Sequence, residues 1–169
     1  MKKFSWFALV ALICMISAIA SAQNVNVDWK RGTDFSPFKT YAWGISPRPV
    51  NDPLWHQRIL DNIDGALAGK GLVKVDLNAN PDMIVVYSAG LRQNVSYQGY
   101  STGWWNRMGT INQVVENEGT LVVDLADPRQ RTILWRGTAT ETLSDKSDKN
   151  IQKLQKMVSK MFQKYPPAK

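Results

Sequence analysis

The chain has 169 residues, 44% of them hydrophobic and 10% aromatic, and a formal net charge of +7. That much apolar surface excludes intrinsic disorder, because burying it offsets the ordering entropy of a packed core. The one cysteine, Cys14, lies in the N-terminal segment, so disulfide and thiol chemistry are excluded for the rest of the chain.

Met1-Lys2-Lys3 is a short positive start, Phe4 to Ala20 is an apolar run, and Ala20-Ser21-Ala22 places small residues ahead of Gln23. This is the layout of a secretory signal peptide with a small-x-small cleavage site. A membrane anchor is the competing reading, but the run of 17 residues is at the lower limit for a span and ends in small residues. Lipidation at Cys14 is not expected. Ile13 is too bulky for that processing, and cleavage there would leave Met15-Ile16 exposed. The expected organisation is residues 1–22 removed on export and residues 23–169 folding as a single α+β domain, periplasmic or secreted. Removing the first 22 of 169 residues leaves 147 and takes Lys2 and Lys3, so +7 becomes +5. A charge of that size mainly favours solubility.

In chain order, Val25, Val27 and Trp29 alternate with Asn24, Asn26 and Asp28, the period of a half-buried strand. A second short strand covers Lys39–Trp43, and Gly44 with three prolines then carries an extended loop. Asp52-Pro53 opens a helix, aspartate as the cap and proline where no amide donor is needed. Trp55, Ile59, Ile63, Ala66 and Leu67 share one face of it, and Gly69-Lys70-Gly71 ends it. A short strand follows at Leu72–Val75. Pro81–Leu91 is nearly continuous apolar, as a central strand would be. Thr120–Ala126 alternates. After an Asp127-Pro128 turn, Thr132–Leu143 places Ile133, Trp135, Gly137 and Ala139 on one face, so the pair reads as a hairpin. Ile151, Leu154, Val158, Met161, Phe162 and Tyr165 form the apolar stripe of a last helix, stopped by Pro166-Pro167. The expected fold class is α+β, two-layer, with a largely antiparallel sheet of about five strands packed against two helices.

Five segments together resemble one bacterial family, domain of unknown function 4136. They are Asp34 to Trp43, Asp52 to Ala68, Pro81-Asp82, Gly119 to Leu125 and Leu134 to Ala139. The resemblance spans nearly the whole chain after the N-terminal segment. It implies an exported envelope protein of a family whose members are often lipid-anchored, with no catalytic residues and no cofactor to carry over. Its aromatic positions, Trp43 and Trp135, read as core.

Few residues carry a chemical signal. Gly99-Tyr100-Ser101-Thr102-Gly103 matches a nucleophile elbow, but no amphipathic helix follows it, and the sole histidine, His56, precedes Ser101 rather than following it. His56 lacks a second histidine or a cysteine for a metal site, and none is expected. Glu116 and Glu118 share a strand face and could form a carboxylate pair, so the alternative function is a small periplasmic hydrolase, an esterase using Ser101 or a glycan-acting enzyme using that pair. The most unusual stretch is Asn94–Asn112, where Tyr97, Tyr100, Trp104 and Trp105 stand among glycines and small polar residues with Arg107. That composition suits a recognition loop for a glycan, a peptide or another envelope protein, and the competing reading is a hairpin extension whose aromatics fold back over the sheet edge. Lys149, Lys153, Lys156, Lys160 and Lys164 fall within an arc of about 80° on the last helix and offer weak attraction to an anionic membrane surface. Nucleic acid is not an expected partner, because acids are interspersed among the bases. The expected function is non-enzymatic binding or scaffolding in the envelope through the aromatic, Gly-rich loop.

Overall fold

A computed structural model describes residues 24–100 and 110–167. Among these, six strands form one open sheet in the order β1-β6-β5-β4-β2-β3. They are β1 (Asn24–Trp29), β2 (Thr40–Trp43), β3 (Val73–Lys74), β4 (Met83–Tyr100), β5 (Thr110–Asp127) and β6 (Thr132–Thr142). Two helices, α1 (Pro53–Ala68) and α2 (Ser147–Gln163), cover one face. The fold class is the expected α+β, with six strands where about five were expected. The expected signal segment, with Cys14, and Gln23 lie outside the described residues.

Local chemistry sets the helix ends. Asp52 Oδ1 accepts from the Leu54 and Trp55 amides at 2.8 and 3.2 Å, and Pro53 occupies the first turn. Beyond α1, Gly71 takes φ +80°, a conformation open to glycine at no steric cost, while the Leu72 amide returns to the Leu67 carbonyl. At the entry to α2, Asn150 bonds both the amide and the carbonyl of Ser144. Tyr165, expected on the helical stripe, follows the end of α2 yet is buried against Trp135 and Phe35.

β1, β6, β5 and β4 run antiparallel to their neighbours, whereas β4, β2 and β3 are mutually parallel. The α1 crossover permits that, since parallel neighbours need a long connection. Asp82 holds the start of β4 to the start of β2. Its carboxylate accepts from the Lys39 amide at 3.0 Å and from the Thr40 amide and hydroxyl at 2.9 Å. The Lys39 amide first, then the two Thr40 donors, favour the charged form and hold this carboxyl below its ordinary pKa. A folded-state pKa below the unfolded one gives stability that is present above about pH 4 and lost as pH falls through the folded value. Asp82→Asn is expected to lower stability at neutral pH and to flatten the acid limb of a denaturation series. A parallel acid limb in wild type and variant would show that Asp82 is not the group involved.

The hairpin of β5 and β6 corrects one expected face. Leu125 pairs with Trp135 and Ala126 with Ile133, so a β-bulge leaves Leu134 without a partner residue on β5. The extra residue turns the chain: Leu134 and Trp135 are both buried, and Ile133, expected inside, is 46% exposed.

Candidate functional site

The stretch expected to be a loop is partly strand. β4 runs on to Tyr100 and β5 begins at Thr110, with pairs from Leu91↔Gly119 to Tyr100↔Thr110. Tyr97 and Tyr100 therefore sit on a strand, at positions paired with Gln113 and Thr110. Trp104, Trp105, Arg107 and Ser101 lie outside the described residues. The neighbours of β4 and β5 stop short of this extension: the β2 side ends at an Arg48–Ser88 bridge and the Ala89 amide to Arg48 carbonyl bond, and β6 ends opposite Glu118. Beyond that point, and past one bond from the Leu143 amide to the Asn117 carbonyl, β4 and β5 pair only with each other among the described residues. At the rise of an antiparallel strand, Leu91 to Tyr100 spans about 30 Å.

Two-stranded ribbons gain little stability on their own in water. This one carries Leu91 at 81% exposure and Val95 and Val115, a cross-strand pair, at 46% each. By the pleat, all three belong to the sheet face that bears Val85, Tyr87 and Leu121, the face the helices cover further down. The ribbon thus continues the core face after the helices have ended. Glu116 is exposed and Glu118 half-buried on its other face, paired with Asn94 and Arg92.

At the root of the ribbon lies a cavity of about 520 Å³ between both helices and the sheet. Trp55 and Ile59 of α1, Leu154 and Met157 of α2, and Ala89 and Leu121 of the sheet form its walls. Leu91, the first residue of the ribbon, Leu143, Pro49 and Val50 complete the apolar lining. The polar groups there are mostly engaged: Asp52 caps α1 and Asn150 holds Ser144. Lys153 also lines the cavity, apart from the arc of lysines expected to face a membrane surface. Its ammonium lies 3.5 Å from Glu141 Oε1 and bonds the Thr142 carbonyl. Glu141 is 7% exposed, and its Oε2 has no partner among the described residues. Lys149, Lys156 and Lys160 are exposed, and Lys164 reaches the Val25 carbonyl at 3.2 Å.

On the other side of α1, Asp64 gathers three donors: Tyr41 Oη at 2.7 Å, Trp43 Nε1 at 2.8 Å and Lys74 Nζ at 2.9 Å. Burial first, then Asp64, pushes the Tyr41 hydroxyl well above its usual range. His56 Nδ1 lies 2.5 Å from Tyr87 Oη, which also accepts from the Val50 amide at 3.3 Å. These bonds tie α1 to β2 and β4, so His56 and Trp43 serve packing. Trp135 is fully buried, as its place in the family-like motif led one to expect.

The chain belongs to the family Domain of unknown function (DUF4136), which it matches over residues 25–167. Its fold is similar to that of a DUF4136 family protein from Bacteroides thetaiotaomicron, with a TM-score of 0.56 at 12% identity, covering 85% of this chain and 96% of that one. A PDZ domain protein from Parabacteroides distasonis is similar at a TM-score of 0.60 and 19% identity over 95% of this chain, which spans 40% of that protein's length. PelC from Paraburkholderia phytofirmans, a dodecamer, is similar at a TM-score of 0.50 and 14% identity, covering 82% of this chain and 94% of that one. At these identities the likeness is one of fold. Among the curated proteins, none matches this chain.

Proposed function

We propose that this chain is an exported, non-enzymatic envelope protein that binds or scaffolds other envelope components through the β4–β5 ribbon. The observation that carries the reading is the ribbon itself. Two strands leave the shelter of the helices with Leu91, Val95 and Val115 exposed on the core-side face and, past the Leu143 amide to Asn117 carbonyl bond, with both edges unpaired by another strand among the described residues. Open edges and apolar patches of this kind are commonly covered by a partner. The dodecameric state of PelC, a protein of similar fold, supports assembly of copies as one form of that binding. The layout of Met1 to Ala22 supports export.

Cell fractionation followed by cross-linking in place tests this. The protein is expected in the envelope or periplasmic fraction, cross-linked to itself or to another envelope component. Val95→Asp with Val115→Asp should abolish the cross-linked species while stability changes by less than about 1 kcal/mol, since both residues are already half in water. Cross-linking that survives the double variant, or a protein confined to the cytoplasm, would overturn the reading.

A further inference from the structure

We propose that the cavity at the root of the ribbon holds one acyl chain carrying an anionic headgroup. The lining argues for the chain. Ile59, Leu121, Leu143, Leu154 and Met157 are flexible aliphatic side chains, joined by one aromatic, Trp55. The volume of about 520 Å³ lies within the usual range for small-molecule sites. A sugar or nucleotide would need several convergent hydrogen-bonding groups, and two of the polar side chains here are already used: the Asp52 carboxylate accepts from two helix amides, and both polar atoms of the Asn150 side chain bond Ser144. Burying apolar ligand surface is what this site can do.

Charge argues for the headgroup. Lys153 is the cation in the wall; its ammonium donates to the Thr142 carbonyl and lies 3.5 Å from Glu141 Oε1. Lys149 and Lys156 stand one turn away on either side of it along α2, both exposed. The acids nearby are compensated: Glu141 faces Lys153, and Asp52 faces the positive end of α1. Glu141 and Lys153 offset each other and Asp148 lies at the positive end of α2, so a head beside Lys153 meets the excess charge of Lys149 and Lys156. A cationic head there would be repelled.

Titration calorimetry on the purified protein, with octyl, decyl and dodecyl phosphate below their micelle concentrations, tests this. Each added methylene is expected to tighten binding about fourfold, the equivalent of ~0.8 kcal/mol. Binding should shift the intrinsic tryptophan fluorescence, and Trp55→Phe should remove that shift. Lys149→Glu with Lys156→Glu, both at exposed positions, should weaken dodecyl phosphate several-fold and leave dodecyl maltoside unchanged. Ala89→Phe should abolish binding by filling the cavity; if that variant does not fold, the lysine pair still decides. The proposal fails if inorganic phosphate binds as well as the alkyl phosphates, if affinity ignores chain length, or if dodecyl trimethylammonium binds as tightly. It fails equally if the protein sediments with phosphatidylglycerol vesicles but takes up no free alkyl phosphate, since that is surface attraction alone.

Discussion

Trp135→Ala is expected to destabilise the protein by about 3–5 kcal/mol, a large share of the ~5–15 kcal/mol that holds a typical domain together. Trp135 has no exposed surface, and its ring lies 5.1 Å from that of Phe162 and 5.7 Å, edge to face, from that of Tyr165. It joins β6 to α2 and to the segment after it, so the cavity left by truncation is walled by three elements that cannot all collapse into it. The indole Nε1 is buried with no partner among the described residues. Trp135→Phe removes that unpaired donor with only part of the ring, and is expected to cost less than half of what alanine costs. Urea unfolding of the three proteins at one pH measures both values. A Trp135→Ala midpoint close to that of wild type would mean that the ring is not at the centre of the core.

Gly137→Ala is expected to destabilise by about 1–3 kcal/mol, although alanine suits a strand at least as well as glycine does. A Cβ at this position would stand 2.6 Å from Trp135 Cη2, 3.0 Å from Met161 Sδ and 3.1 Å from Trp135 Cζ3. The indole lies across the backbone of its own strand, and only a residue without a side chain leaves it room. The Met161 thioether can yield, but the Trp135 ring is fixed by Phe162 and Tyr165. The two substitutions should therefore couple. In a Trp135→Phe background the smaller ring leaves space for the methyl group, and the cost of Gly137→Ala should fall by at least about 0.5 kcal/mol. Strictly additive losses in that cycle would show that ring and methyl group do not meet.

Much of the candidate site was only half legible. The alternation of Val95 and Tyr97 with Asn94 and Ser96 is a strand signal inside the stretch expected to be a loop. It is easily lost among the glycines and polar residues around it. The exposure of Leu91 and Val95 has no local signature at all: their apolar side chains look like any other core positions until the helices are seen to end below them. The cavity is less visible still, because its walls come from Trp55, Ala89, Leu121 and Met157, residues brought together by the sheet order and not by spacing. Lys153 illustrates the same limit. Helical periodicity places it beside Lys149 and Lys156, and only the packing of α2 on β6 turns it towards Glu141.

What the sequence determined by itself are the features that depend on neighbours a few residues away. The Asp52-Pro53 cap and start of α1, the apolar stripe of α2, the Asp127-Pro128 turn and the alternation of β1 and β5 all follow from local sterics and one-sided burial. The family motif was legible too, and the structure supplies its reason: Asp82 reaches the Lys39 and Thr40 amides, and Trp135 fits over Gly137. What only the tertiary structure decided depends on distant pairings. These are the parallel run of β4, β2 and β3, the bulge that buries Leu134 and turns Ile133 outward, and the Asp64 cluster with Tyr41 and Trp43. A strand's own sequence sets which residues alternate. Which face is covered, where the cover stops and which carboxylate meets which donor are set by elements tens of residues away, and no local periodicity encodes them.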